Sequence, residues 1–73
     1  MIEELTEAEY TIADRIERKL EMSPEGVTPS MAARAARTDT GTAAKVLGWM
    51  CVNRYAHAAP RGAWTRYFIG RAA

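Results

Sequence analysis

The chain has 73 residues, 48% of them hydrophobic and 26% charged. A domain this short buries only about 60% of the surface its unfolded form exposes, which excludes a dinucleotide-binding α/β domain, a barrel enzyme or a multi-domain arrangement. The composition is that of an ordinary globular domain, which excludes a disordered tail, and the formal net charge of +1 says little until it is divided along the chain.

The first segment opens with a strong helix start. Thr6 and Glu9 have the spacing of a capping box, in which each side chain satisfies a free backbone donor beside the other. Leu5 before the cap and Tyr10 after it are placed for a hydrophobic staple. Ile12, Ile16 and Leu20 recur every four residues with Ala13 beside them, so one face is apolar. Glu7 and Glu9 suit the positive end of the helix dipole, and Arg18 and Lys19 the negative end. The pattern predicts a helix over about 7–22, stopped by Ser23-Pro24-Glu25-Gly26.

Val27 and Thr28 leave room only for a very short strand. Thr28-Pro29 is an N-cap followed by proline at the first helical position, where its missing N–H costs nothing. A second helix follows over about 29–36, with Met31, Ala32 and Ala35 expected to pack closely. Arg37-Thr38 makes the break, Asp39 or Thr40 is the next N-cap, and a third helix is predicted over about 41–54. On its helical wheel Ala43, Val46, Leu47 and Met50 share one face, with Tyr55 just beyond. Thr42, Lys45 and Gly48 fall on or near the opposite face, with Gly41 and Ala44 alongside. Val52 projects from that polar face and Trp49 sits at its edge. Gly48 costs about 1 kcal/mol relative to alanine inside a helix, which hints at a close approach there.

Residues 55–71 read as a hairpin. Tyr55-Ala56-His57 is a short strand, Ala58 to Ala63 supply the turn residues, and Trp64 to Ile69 form a second strand rich in aromatic and β-branched types. Tyr67 and Ile69, on one parity, are expected to face the helices, with Trp64, Arg66 and Phe68 turned outward or toward a partner.

Charge is lopsided along this order of elements. Residues 1–26 hold eight acids against three bases, a net of −5, whereas residues 27–73 hold seven bases against one acid, a net of +6. Such a split points to a polyanion or acidic surface as partner for the C-terminal part, or to mutual neutralisation across the fold. The single cysteine, Cys51, excludes an internal disulfide. The longest apolar stretch, Val46 to Val52, is far short of the roughly 20 residues of a membrane span, and the start lacks a signal-peptide pattern. A cytoplasmic protein is expected. Fourteen alanines, and eight arginines against two lysines, match the codon bias of a GC-rich genome, bacterial or phage.

Helix, short strand, helix, three-residue break, helix and two-stranded ribbon contain the helix-turn-helix unit. The stretch from Val27 to Leu47 resembles the core of the winged helix-turn-helix family, and Pro60-Arg61-Gly62 stands where that family has a wing tip. The likeness lies in pattern and runs from about Leu5 to Arg71. It implies an α+β, mainly α fold: a three-helix winged helix-turn-helix with a short first strand and a C-terminal two-stranded β-hairpin wing. The sequence departs from the family at Arg37, where the turn often has glycine. It departs again at Thr38, where an apolar plug is common, and along Gly48, Trp49 and Val52, where basic or polar residues are usual.

The resemblance implies double-stranded DNA binding, as a transcriptional regulator or an accessory factor in recombination or replication, in association with the nucleoid. The third helix would enter the major groove with Thr40, Gly41, Thr42, Ala44 and Lys45, and its N-terminal amides would face a phosphate. Arg34 and Arg37 would clamp the DNA backbone beside the second helix, and Arg61 and Arg66 would reach phosphate or the minor groove from the wing. Trp64 would stack on the nucleic acid or, as is commoner for a wing aromatic, pack on the domain. A homodimer on a two-fold site would strengthen weak monomer binding. The rival reading is a protein-interaction module, for example a viral inhibitor of a host factor, with an apolar surface around Trp49, Val52 and the outward wing aromatics as its contact. Trp49 and Val52 are otherwise expected either to be covered by the wing or to form a patch for a second subunit.

No catalytic motif stands out. Cys51 and His57 have no second ligand pair for zinc, Ser23, Ser30 and His57 suggest no triad, and Gly41 to Lys45 is not a phosphate-binding loop. Asp14 and Glu17 read as a solvated helix pair. No enzyme, metal or cofactor is expected.

Overall fold

Each helix begins at a side chain that closes its first free amides. In a computed structural model, which describes residues 4–70, α1 runs over Glu7–Glu21. Thr6 Oγ1 accepts the Glu9 N–H at 3.2 Å, and the Glu9 carboxylate accepts the Thr6 N–H at 2.9 Å, completing the capping box. Helix α2 spans Pro29–Ala36, with Thr28 Oγ1 accepting from the Met31 N–H. Helix α3 spans Thr40–Val52, and Asp39 rather than Thr40 is its cap. Thus α3 starts one residue earlier and stops two residues sooner than its apolar pattern predicts. Arg54, with φ +64°, has already left the helix.

The break between α2 and α3 is made by Arg37 in the left-handed conformation, φ 58° and ψ 47°. Thr38 N–H then reaches back to the Ala33 carbonyl at 2.9 Å, the reverse bond typical of such a helix end. Arg37 therefore adopts, with its β-carbon, a conformation that usually falls to glycine.

Ile16 and Leu20 of α1, and Ala43, Val46, Leu47 and Met50 of α3, form the core with Val27 and Ala56. Helix α2 contributes Ala32, Ala33 and Ala36, while Ala35, expected to pack, is exposed. The C-terminal hairpin pairs β1 (Ala56–Arg61) with β2 (Trp64–Ile69) in antiparallel register, from Ala56 opposite Ile69 to Arg61 opposite Trp64. Gly62, with φ +64°, makes the turn. The expected first strand shrinks to one bridge, in which Val27 and Tyr67 exchange N–H···O bonds of 2.9 and 2.8 Å.

That bridge draws the α1–α2 linker against the hairpin and alters the parity of β2. Tyr67 is half-buried, as expected, but Ile69 is 39% exposed, and Arg66 and Phe68 are half-buried instead of outward. The cause is Gly26, buried with φ +92°, where a β-carbon would stand 2.7 Å from the Phe68 ring. His57 stacks on Phe68 at 5.4 Å between centroids, and the Arg61 guanidinium lies 4.8 Å over the same ring. Both faces of β2 thus carry contacts. The result is the expected mainly helical α+β domain, and its shape fits that of a winged helix. Among the described residues no helix is long and apolar enough to cross a membrane.

Candidate nucleic-acid interface

The solvent side of α3 is built from small residues. Thr40, Gly41, Ala44 and Gly48 are exposed along it, opposite the buried Ala43, Val46, Leu47 and Met50, and Val52 ends the row at 61% exposure. A β-carbon at Gly48 would meet nothing within 4 Å, so the close approach hinted at by that glycine is not made inside the chain. Without long side chains on this row, an outside surface can come near the helix backbone itself.

The first turn of α3 already holds an anion. Asp39 accepts the Thr42 N–H at 2.7 Å and the Thr42 hydroxyl at 2.9 Å. The bond from the Thr42 amide, and then that from its hydroxyl, hold the Asp39 carboxyl below the usual carboxylate range. The amide expected to face a phosphate is therefore bonded within the chain, and Thr42 has committed its hydroxyl proton.

Lys45 leans away from the row of small residues. Its Nζ lies 2.9 Å from Glu9 Oε2 at the start of α1. The Thr6 backbone N–H, and then Lys45, hold the Glu9 carboxyl below its ordinary value. One carboxylate thus closes the capping box and binds a cation that the sequence offers to DNA.

Beside the start of α3 lies a groove of about 650 Å³, bounded by the first turn of α2, by Thr40 and by β2. Thr28, Ser30, Thr40 and Arg66 are among its lining residues, the Thr28 hydroxyl oxygen also capping α2. Arg66 Nη1 donates to the Gly26 carbonyl at 3.2 Å and passes 4.0 Å from Met31 Sδ, so the head group is held in place while its other donors remain for a ligand. Trp64 also lines the groove. The residue is 69% exposed, which corrects the expectation that it packs on the domain. Arg61 is exposed near the hairpin turn, where it donates to the Pro60 carbonyl and stacks over Phe68.

The chain matches no protein-family model, no curated protein and no solved structure. The geometry alone therefore sorts the candidate residues. Thr40 and Arg66 share the groove, and Gly41 and Ala44 share the exposed row of α3 with Thr40. Thr42 and Lys45 are engaged by carboxylates. Arg34 lies elsewhere, in a cleft with Lys19, Met31 and Ala35, while exposed Arg37 caps α2. Sequence reasoning passed over Thr28 and Ser30 as groove residues, because their spacing reads only as a helix start. The signal available was Val27, whose pairing with the second strand carries that start to the hairpin.

Trp49 is half-buried, with an aromatic ring on either side. The Tyr10 ring meets it edge-on at 5.5 Å, and Tyr55 lies tilted at 5.6 Å. Tyr10, placed for a staple with Leu5, makes this ring contact with α3. Cys51 is half-buried, and burial pushes its thiol up, which leaves it less reactive than an exposed thiol. Among the described residues no group of three His, Cys, Asp or Glu side chains could hold a metal ion.

Proposed function

We propose that this protein binds double-stranded DNA, laying the exposed row of α3 into the major groove and setting the groove beside it on the sugar–phosphate backbone. The observation that carries this reading is one groove lined by Arg66, the hydroxyl-bearing Thr28, Ser30 and Thr40, and the exposed Trp64, beside a helix face of small residues. Hydroxyl and guanidinium donors are the groups that bind phosphate oxygens and position a protein on a duplex. Small side chains let a recognition helix sit deep, and the methyls of Ala44 and Thr40 can touch thymine. Arg61 on the wing adds a phosphate contact. Transcriptional regulation, or an accessory role in recombination or replication, is the use we assign to such binding.

With Lys45 held by Glu9, few cations remain on this side, so one protomer binds weakly and gains from a second copy on a two-fold site. The experiment is a titration with random duplex DNA at low salt, followed by backbone amide shifts. The reading expects shifts at residues 28–31, 40–48 and 61–66, and an affinity that falls steeply with salt as counterions are released. No shift at low salt, a flat salt response, or shifts confined to α1 would overturn it.

A further inference from the structure

We infer that the cleft between α1 and the end of α3 is a receptor for an arginine side chain carried by a protein partner. It is independent of the DNA reading and lies on different residues. Tyr10, Ala13, Asp14 and Glu17 share one stripe of α1, at the spacings that bring helix side chains together. Trp49 and Met50 of α3, with Tyr55 just after it, complete a cleft of about 240 Å³.

Three electron-rich rings bound this space. Trp49 is fixed by its edge contact with Tyr10 and its tilted contact with Tyr55, while Tyr10 is 43% and Tyr55 50% exposed. Their faces carry the negative end of the ring quadrupole, and tryptophan binds cations best among the aromatic side chains. Asp14 and Glu17 add two carboxylates, and no described residue gives either one a hydrogen bond or an ion pair. Among the described residues no cation lines the cleft. Two of the bases of α1 lie elsewhere: Arg15 donates to the Ala36 carbonyl at 3.2 Å, and Lys19 lines a different cleft, with Met31, Arg34 and Ala35.

Charge complementarity therefore selects the occupant. The buried Ala13 and Met50 offer an apolar floor to a methylene stem, the rings offer faces to a planar cation, and the carboxylates accept its N–H groups. A guanidinium meets all three demands at once, because it stacks on aromatic rings and bonds carboxylates in a forked geometry.

The test uses the full chain carrying Trp64→Phe, so that Trp49 is the one indole left to report. The probe is the blocked peptide Gly-Arg-Gly-Arg-Gly, titrated at low salt and followed by indole emission and amide shifts. A saturable response centred on Tyr10, Trp49 and Tyr55 is expected. Affinity should fall about five- to tenfold in Asp14→Asn with Glu17→Gln, and about threefold in Tyr55→Leu. The same peptide with citrulline for arginine, uncharged but of equal shape, should bind at least tenfold more weakly to the unaltered cleft, a comparison that needs no cleft variant. The proposal is overturned by an absent response, by equal binding of the citrulline peptide, or by shifts spread along α1 without the three aromatic residues.

Discussion

Lys45 Nζ lies 2.9 Å from Glu9 Oε2, while the other oxygen of that carboxylate accepts the Thr6 N–H at 2.9 Å. A helix cap on α1 thereby restrains a cation on α3. Glutamine serves in a capping box as glutamate does, so Glu9→Gln keeps the helix start but withdraws a negative charge that Lys45 faces. If the DNA reading is right, this variant binds duplex DNA a few-fold more tightly and with a steeper salt dependence, because one carboxylate that offsets the cations of this side is gone. Fluorescence anisotropy across a salt series measures both quantities, and unchanged affinity would place the Glu9–Lys45 pair outside the contact.

Acid should loosen the two capped helices. Glu9 and Asp39 both have carboxyls held below the usual range, chiefly by backbone N–H donors at Thr6 and Thr42. A group whose folded value is depressed contributes stability above its unfolded value and loses it as the pH falls through the folded one. The melting temperature should therefore stay level through neutral pH and decline below the carboxylate range. Asp39→Asn retains a capping oxygen without the charge, and its profile should decline less. Parallel curves for the two proteins would refute the assignment.

Gly26 sits under Phe68 with no room for a methyl group. Gly26→Ala would place a β-carbon 2.7 Å from the ring and 2.9 Å from Arg66 Cβ, on a backbone already at φ +92°. Overpacking of this kind costs about 1–3 kcal/mol, and the left-handed strain adds about 1 kcal/mol. In a domain of this size the melting temperature should drop by about 10 °C or more. A melt within two or three degrees of the parent would mean that the linker and hairpin are not packed together as described.

Arg37 gives the opposite sign. Its backbone, at φ 58° and ψ 47°, strains a side chain that glycine lacks. Arg37→Gly trades that strain for a more flexible unfolded chain, leaving a net gain of about 0.5 kcal/mol and a melting temperature raised by about 2–4 °C. If Arg37 also touches phosphate, duplex affinity falls and the salt slope shrinks by about one in the same variant. Calorimetry and a binding isotherm separate the two roles.

The helices were legible because their starts are local. Thr6 with Glu9, Thr28 with Pro29, and Asp39 each act within three residues, so the cap is written beside the element it opens. The apolar face of α3 was equally plain, since Ala43, Val46, Leu47 and Met50 recur with the helical repeat. The αL break at Arg37 could be placed for the same reason, although the residue itself is an unusual one there.

Long-range packing settled the rest. Alternation along β2 suggests that only Tyr67 and Ile69 face the domain, but it cannot show that a buried glycine forty-two residues earlier draws Phe68 inward. A helical wheel puts Lys45 on the solvent side of α3, yet its partner Glu9 belongs to another helix, and the docking of α1 on α3 decides whether they meet. Trp49 finds Tyr10 and Tyr55 in the same way. Caps and repeats follow from bonds spanning three or four residues, whereas the surfaces offered to a ligand depend on which side chains of distant segments satisfy one another first.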